Sequence, residues 1–238
     1  MAAAAMATRE QVLEALASVY DPELDEPVTE LRFVSRCEVS ADGDVEVLLR
    51  LPTPQCAPNF AFLMAADARA AASGLPGVRS VTVALEDHYT GAEINAALAR
   101  GAGFTAAFPG ETEDDDLEAL RELFLRKALI ARQSEVCERL LDSGWSPERV
   151  VRATVAQLPD TRVARRALEL RTRLGIPCGP AAAAFVAPSG EPLVADRLDR
   201  WLRMARLVRT GLEANGGICR ALLAARHGLA DEVGEAIA

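Results

Sequence analysis

The spacing of the apolar residues changes at about residue 85 of this 238-residue chain. Before that point, residues 31–39, 44–51 and 78–85 are predicted to be strands, because they are rich in β-branched residues or alternate apolar with polar side chains. The first two strands are predicted to form a hairpin through a turn at 41–43. Helices are predicted at 9–20 and 58–74, so the order is helix, strand, strand, helix, strand. This order predicts an α+β domain in which two helices cover one face of a small three-stranded sheet.

Beyond residue 85 the apolar residues recur at helical spacing. We expect a short helix at 91–99, a glycine-punctuated linker at 101–110 and then a mainly α-helical C-terminal half. In that half one helix is predicted to start at Asp160, and residues 185–194 are a candidate small hairpin. The predicted domains are therefore an α+β domain at 9–100 and a helical region at 111–238. Within the helical region, the acidic run at 113–116 is predicted to cap a helix and not to bind metal.

The glycine pair at 216–217 is predicted to end an amphipathic helix of residues 196–212, because glycine is common after the last turn of a helix. Cys219 then falls in the first turn of a following helix, where helix amides and the helix dipole favour a thiolate. The same turn would bring Glu213 and Asn215 close to that thiol. The alternative interpretation is a simple chain reversal, with Cys219 packed inward.

Composition excludes several classes of function. The net charge is −9 and the pI is about 4.9, which disfavours binding to nucleic acid or to an anionic membrane. No apolar run approaches the roughly 20 residues that span a bilayer, and the first six residues lack the features of a secretory signal. The five cysteines are odd in number and widely spaced, which predicts reduced thiols. We therefore expect a cytoplasmic protein with neither nucleic acid nor membrane as a partner.

Cys56 is the strongest functional clue in the sequence. It lies between the strand at 44–51 and a helix that is predicted to begin at Pro58. Unpaired amides and the positive end of a helix dipole favour the thiolate at such a position. A thiolate attacks electrophiles or binds metal ions, whereas a structural cysteine would only pack as a small apolar residue.

Two further segments carry side chains with functional chemistry. His88, preceded by Asp87, follows the third predicted strand, and histidine is a natural metal ligand or proton carrier. The segment DPEL at 21–24 supplies the carboxylates of Asp21 and Glu23, although a turn that stops the first helix explains this segment equally well.

Three motifs follow one another in the first predicted domain: DPEL at 21–24, TPQC at 53–56 and LPGV at 75–78. Over about residues 9–90 the chain resembles the iron-sulfur cluster assembly domain shared by the SufT and PaaD proteins, whose motif cysteine corresponds to Cys56. The resemblance implies a carrier or maturation factor that helps to place iron or an iron-sulfur cluster into a client enzyme. The chain departs from the family pattern at Pro52, immediately before this TPQC segment, where the family usually has a hydroxyl residue.

These observations leave three interpretations open. In the first, Cys56 with His88 or Cys219 holds iron or an iron-sulfur cluster transiently and transfers it to the apo form of a client metalloenzyme, and two chains that shared one cluster would form a homodimer. Thr53 and Asn59 belong to the same candidate site.

In the second interpretation, the protein is a scaffold that recognises a client, and Cys56 is structural. In the third, Cys56 is the nucleophile of a hydrolase or transferase with His88 as base, but the sequence contains no glycine-rich nucleophile elbow. The first interpretation, a non-enzymatic factor, is favoured.

Overall fold

The computed structural model describes residues 6–110 and 117–228. These residues form two compact units. The first unit contains the described residues up to Leu117 and those from Gly216 onward, and the second unit contains Glu118–Asn215. The predicted acidic cap at 113–116 lies outside the described residues.

The helices and strands follow one another in a simple order. They are α1 (Arg9–Leu16), β1 (Tyr20–Asp21), β2 (Glu26–Pro27), β3 (Val34–Val39), β4 (Asp44–Arg50), α2 (Pro58–Ser73), β5 (Ser80–Glu86), α3 (Gly91–Ala99), α4 (Phe104–Ala107), α5 (Glu118–Asp142), α6 (Pro147–Val151), α7 (Arg162–Arg173) and α8 (Ala195–His227). A short 3-10 turn at Val155–Gln157 lies between α6 and α7.

The first helix is shorter than predicted. Its start is confirmed, because the Thr8 side chain accepts a hydrogen bond from the N–H of Gln11 and the Gln11 side chain accepts one from the N–H of Thr8. Its end is at Leu16 and not at residue 20, because Tyr20 leaves the helix and pairs with Pro27 in the antiparallel ribbon of β1 and β2.

The sheet confirms the predicted α+β class. β3 and β4 form the expected antiparallel hairpin, and β5 lies parallel to β4 on the opposite side, so the strand order is β3-β4-β5. Gly43 turns the hairpin at a φ of 85°, and a Cβ there would lie 2.6 Å from the carbonyl oxygen of Gly77. Only glycine tolerates both conditions.

One face of the sheet builds the core of the first unit. Val45, Val47 and Leu49 alternate along β4 and are buried, whereas Glu46 between them is half-exposed. Helix α2 packs against β5 and contributes its buried alanines and Met64 to the same core. Each buried valine or leucine side chain stabilises the fold by about 1.5–3 kcal/mol, so this face is the main source of stability in the unit.

The predicted linker at 101–110 is wrong in part. It contains the short helix α4, and the rings of Phe104 and Phe108 are buried in the core of the first unit. The Phe104 ring packs edge-on against Phe62 of α2 at a centroid distance of 5.5 Å. Burial of these aromatic side chains outweighs the turn preference of the surrounding glycines.

The predicted helix break at 216–217 is also wrong, because α8 runs without interruption through both glycines. Gly216 is buried, and a Cβ on it would lie 3.0 Å from the Glu26 carboxylate oxygen. This glycine therefore permits a close approach and does not make a turn. The continuing helix buries Leu223 in the core of the first unit, which offsets the low helix propensity of glycine.

The second unit is helical, as predicted. Helix α5 packs against α7, and Ser146 caps α6 by accepting a hydrogen bond from the N–H of Arg149. The N-cap of α7 is Thr161, one residue later than the predicted start at Asp160. The predicted hairpin at 185–194 is reduced to one antiparallel bridge.

None of the described helices is both long enough and apolar enough to cross a bilayer.

Candidate functional site

Cys56 lies in the loop between β4 and α2, two residues before α2 begins. Pro58 is the first residue of that helix, and Ala57 at the N-cap has no side-chain oxygen to offer to the helix amides. The Cys56 side chain is half-buried and packs against the core of the first unit. The predicted position between a strand and a helix start is therefore confirmed.

Contacts inside the loop fix the position of the thiol. The Cys56 N–H donates to the Thr53 carbonyl oxygen at 3.3 Å, and Thr53 Oγ1 lies 3.7 Å from Cys56 Sγ. Asn59 acts at the helix start, where its Oδ1 accepts the Phe60 N–H at 2.9 Å. The loop thus places the Thr53 hydroxyl beside the sulfur, while Asn59 Oδ1 is engaged by the backbone.

His88 contacts the backbone of Cys56 and not its thiol. Its Nδ1 accepts the Thr90 N–H at 3.3 Å, so the other nitrogen, Nε2, carries the proton and donates it to the Cys56 carbonyl oxygen at 2.8 Å. The Tyr89 N–H adds a second link to the loop at the Pro54 carbonyl oxygen, 3.0 Å away. Both ring nitrogens of His88 are therefore already engaged, and the imidazole serves as a brace for the Cys56 loop.

A second brace comes from the end of α8. Arg226 donates to the carbonyl oxygens of Leu51 and Pro52, at 3.4 and 2.9 Å, and pairs with the Asp87 carboxylate. Asp87 itself has a φ of 49° and a largely exposed side chain. Sequence reasoning selected Asp87 but missed Arg226, because no local pattern links residues 139 positions apart.

Cys219 lies inside α8 and packs against the same core as Cys56. The pKa of Cys219 is raised to about 11, first by burial and then by electrostatic interactions with Asp21, Cys56 and Glu23, whereas the Arg220 guanidinium lowers it. These electrostatic contributions put the two thiols and the carboxylates of the DPEL segment in one neighbourhood, although the predicted helix start that was to activate Cys219 does not exist.

Asp21 is a buried carboxyl group in that neighbourhood. Its Oδ1 accepts the N–H groups of Glu23 and Leu24, at 2.8 and 2.9 Å, and these bonds shape the DPEL turn. Burial nevertheless raises the pKa of Asp21 to about 6, because the two hydrogen bonds only partly offset the desolvation of the charge. The charges of Glu23 and Glu26 contribute to the same increase.

Arg220 limits the negative charge of this cluster. Its guanidinium forms an ion pair with Glu26 at 2.6 Å, and Glu23 is half-buried. The cluster thus presents two thiols and the carboxylates of Asp21 and Glu23, next to one ion-paired arginine. All of these residues belong to the first unit.

Glu213 and Asn215 belong to the second unit, in the part of α8 that precedes Gly216. Glu213 is exposed and lies 3.6 Å from Arg209, one helical turn earlier. The glycine turn that was predicted to place both residues beside Cys219 is absent, so the reasoning that selected them was wrong.

The described residues bring only a few possible metal ligands together. All five cysteines are free thiols, and no group of three or more His, Cys, Asp or Glu side chains within 6–110 and 117–228 is arranged to hold a metal ion. Cys56 and Cys219 supply soft sulfur ligands of the kind that iron-sulfur species prefer. Two thiols can therefore supply part of a coordination sphere, and other ligands must come from elsewhere.

Comparison with known proteins connects this site to a family. Residues 9–85, which include the DPEL segment and the Cys56 loop, match the family described as iron-sulfur cluster assembly protein. An uncharacterized protein of Methanocaldococcus jannaschii is 34% identical over 93 residues, which cover 39% of this chain and 96% of that relative. The chain belongs to the iron-sulfur cluster assembly protein family. A second relative, the Fe-S protein maturation auxiliary factor of Porphyromonas gingivalis, is 35% identical over 78 residues, which cover 33% of this chain and 72% of that protein.

The family match does not cover the whole site. It includes Asp21, Glu23, Thr53 and Cys56, but it ends before His88 and far before α8. No solved structure matches this chain. The contacts of Arg226 and Cys219 in α8 therefore lie outside the family match.

Proposed function

We propose that this protein is an auxiliary factor in the maturation of iron-sulfur proteins. Cys56 and Cys219 hold iron or an iron-sulfur cluster for a short time and pass it to the apo form of a client metalloenzyme. The observation that carries this proposal is the presence of both thiols on one core, beside the carboxylates of the DPEL segment. Family membership and the maturation factor of Porphyromonas gingivalis support the same role.

The small donor set suits transfer better than storage. A cluster that is bound by four cysteines has its coordination filled, whereas a pair of thiols leaves positions open to another protein. A thiolate of the client can then bind the iron before Cys56 or Cys219 leaves it. A second copy of this chain can fill the same open positions, in which case one cluster is shared by a homodimer.

The position of His88 argues against a cysteine hydrolase or transferase. A nucleophile and its base need to lie within hydrogen-bonding reach of each other, at about 2.6–3.2 Å. The Nε2 of His88 instead donates to the Cys56 carbonyl oxygen, and Nδ1 is occupied by Thr90. The role we propose for His88 is to hold the Cys56 loop, so that the thiol keeps its place when the cargo leaves.

Anaerobic reconstitution with ferrous iron and sulfide tests the proposal. Wild type, Cys56→Ser and Cys219→Ser are compared with Cys178→Ser, a matched control in which a half-buried thiol of the second unit is replaced. We expect both site variants to lose retained iron and visible absorption, and the control to behave as wild type. Circular dichroism verifies that each variant is folded. We expect all of them to fold, because serine is nearly isosteric with cysteine.

Transfer is measured separately with a purified apo-ferredoxin as a generic acceptor. Loaded wild type should restore the visible spectrum of the ferredoxin, and Cys56→Ser should not. Equal iron content in wild type and Cys56→Ser would contradict the carrier mechanism. Normal maturation of an iron-dependent enzyme in cells that contain only Cys56→Ser would leave a scaffold that recognises its client without carrying metal.

A further inference from the structure

The outer edge of β5 is only partly covered. β5 is the last strand of the β3-β4-β5 sheet, and among residues 6–110 and 117–228 it pairs with β4 alone. At Leu85, the side chain of Asn95 from α3 covers the edge: Asn95 Oδ1 accepts the Leu85 N–H at 2.7 Å, and Asn95 Nδ2 donates to the Leu85 carbonyl oxygen at 3.1 Å. A carboxamide thus occupies the place that a peptide group of a neighbouring strand would take.

The rest of this edge is open. Alternate residues of a strand direct their N–H and C=O groups to the same side, so Val81 and Val83 point these groups in the same direction as Leu85. In the part of the chain that the structure describes, no hydrogen bond reaches these outward groups. Proteins usually protect such an edge with lysine, proline or a bulge. The sequence of β5, Ser-Val-Thr-Val-Ala-Leu-Glu, contains none of these devices in the open part.

A groove of about 310 Å³ follows the open edge. Val81 and Val83 form one side, and Leu98 and Ala99 of α3 form an apolar wall. A volume of this size is near the lower limit of about 300 Å³ for ligand pockets, which suits one or two side chains of a bound segment.

Arg69 of α2 provides a positive charge in the same groove. Its side chain is half-buried, and it makes no ion pair or hydrogen bond with the described residues. Its guanidinium lies beside Gly101, 3.6 Å from the position of a Cβ on that glycine. A cation without a partner among the described residues, beside an open strand edge, favours a binding partner that carries a carboxylate.

We propose that the β5 edge binds an extended peptide segment of another protein, which adds as a fourth strand and places a carboxylate on Arg69. Hydrogen bonds to Val81 and Val83 supply the backbone pairing, and the apolar wall receives an alternate side chain of the peptide. A second copy of this chain fits less well, because its own β5 would bring a second Arg69 towards the same groove. This binding surface does not depend on the metal-carrier role of Cys56.

Hydrogen exchange followed by NMR tests this proposal on the full chain. In the free protein, the amides of Val81 and Val83 should exchange faster than those of Thr82 and Ala84, which pair with β4. The probes are acetylated eight-residue peptides of alternating valine and threonine, with one glutamate placed at each position in turn. At least one peptide should slow exchange at Val81 and Val83 by about tenfold or more when it is saturating.

Two substitutions separate the parts of the interaction. Arg69→Gln should weaken the best peptide by about fivefold, the loss expected for one partly exposed charge-assisted hydrogen bond, and should not affect its glutamine counterpart. Val81→Pro removes an outward N–H that β4 does not use, and should abolish binding, whereas Val81→Thr keeps that N–H and should bind normally.

Three results would overturn the proposal. The first is unchanged exchange at Val81 and Val83 with every peptide of the set at millimolar concentration. The second is equal binding of the glutamate peptide by wild type and Arg69→Gln. The third is protection of both amides in the free protein that rises with protein concentration, because the occupant would then be a second copy of this chain.

Discussion

Asp21→Asn should make the first unit more stable at neutral and alkaline pH. Asp21 is buried, and its pKa is raised from 3.8 to about 6, first by desolvation. The folded-state pKa lies above the unfolded-state value, so the contribution of Asp21 to stability is complete below the unfolded pKa and is lost as the pH rises through the folded pKa. A shift of about two units corresponds to about 3 kcal/mol at high pH.

Asparagine should recover most of this free energy. Its Oδ1 can still accept the N–H groups of Glu23 and Leu24, while its amide group carries no charge that must be desolvated. The new NH₂ group needs an acceptor, and we allow about 1 kcal/mol for an imperfect one. We therefore expect Asp21→Asn to be about 2 kcal/mol more stable than wild type near pH 8, and close to wild type near pH 4.

The assay must report on the first unit alone. Both tryptophans, Trp145 and Trp201, lie in the second unit, so intrinsic tryptophan fluorescence would follow the wrong transition. Exchange of the slowest amides of α2 measures the opening free energy of the first unit directly. Asp42→Asn is the control, because Asp42 is exposed in the turn between β3 and β4 and its replacement should change stability by less than about 0.5 kcal/mol.

A loss of stability in Asp21→Asn near pH 8 would refute this reasoning. It would mean that the hydrogen bonds to the charged carboxylate outweigh its burial. A gain that does not depend on pH would also contradict it, since the mechanism requires the gain to develop between about pH 4 and pH 6 as the wild-type carboxyl group ionises.

Three further predictions test the role of α8. Gly217→Ala should raise the free energy of unfolding by about 0.5–1 kcal/mol, because the helix is continuous and a Cβ at this position meets no atom within 4 Å. Gly216→Ala should gain less, since its Cβ would lie 3.0 Å from a glutamate oxygen. If the helix broke at these glycines, Gly217→Ala would instead lower the free energy of unfolding. Iodoacetamide near pH 8 should modify Cys219 more slowly than Cys56, because Cys219 has a pKa of about 11, and peptide mass mapping over time measures both rates. Arg226→Met should raise the alkylation rate of Cys56 severalfold by releasing two carbonyl oxygens at the start of the loop, and an unchanged rate would show that this brace is not needed.

The sequence predicts those parts of the fold that depend on local patterns. The hairpin of β3 and β4, helix α2 and helix α3 are present as expected, since alternation, a proline at a helix start and helical spacing act over a few residues. The position of Cys56 between a strand and a helix start was predicted in the same way, because its strand, its loop and its helix are contiguous in the sequence. These elements can be predicted without knowing which residues pack against them.

The sequence fails where a distant contact decides the structure. The glycine pair at 216–217 has the composition of a helix end, yet the chain continues as a helix because Leu223 is buried in the first unit and Gly216 admits the Glu26 carboxylate. Arg226 could not be selected for the same reason, since its partner Asp87 is 139 positions away. The two glycines together cost about 2 kcal/mol of helix propensity, and the burial of one leucine, at about 1.5–3 kcal/mol, is large enough to offset this cost.

The predicted reason for selecting Cys219 was wrong, but the thiol packs against the same core as Cys56. The predicted helix start would have made Cys219 acidic, whereas the buried position in α8 raises its pKa to about 11. The two thiols therefore differ in setting: Cys56 lies in a braced loop beside a helix start, and Cys219 is a buried thiol among carboxylates. Such an unequal pair suits a transient ligand set, because iron would bind first to the loop thiol and would have to displace a proton from Cys219 to gain the second sulfur. In the proposed carrier role, the high pKa of Cys219 would let this sulfur take up a proton again and so favour release of the cargo at the sulfur that binds it last.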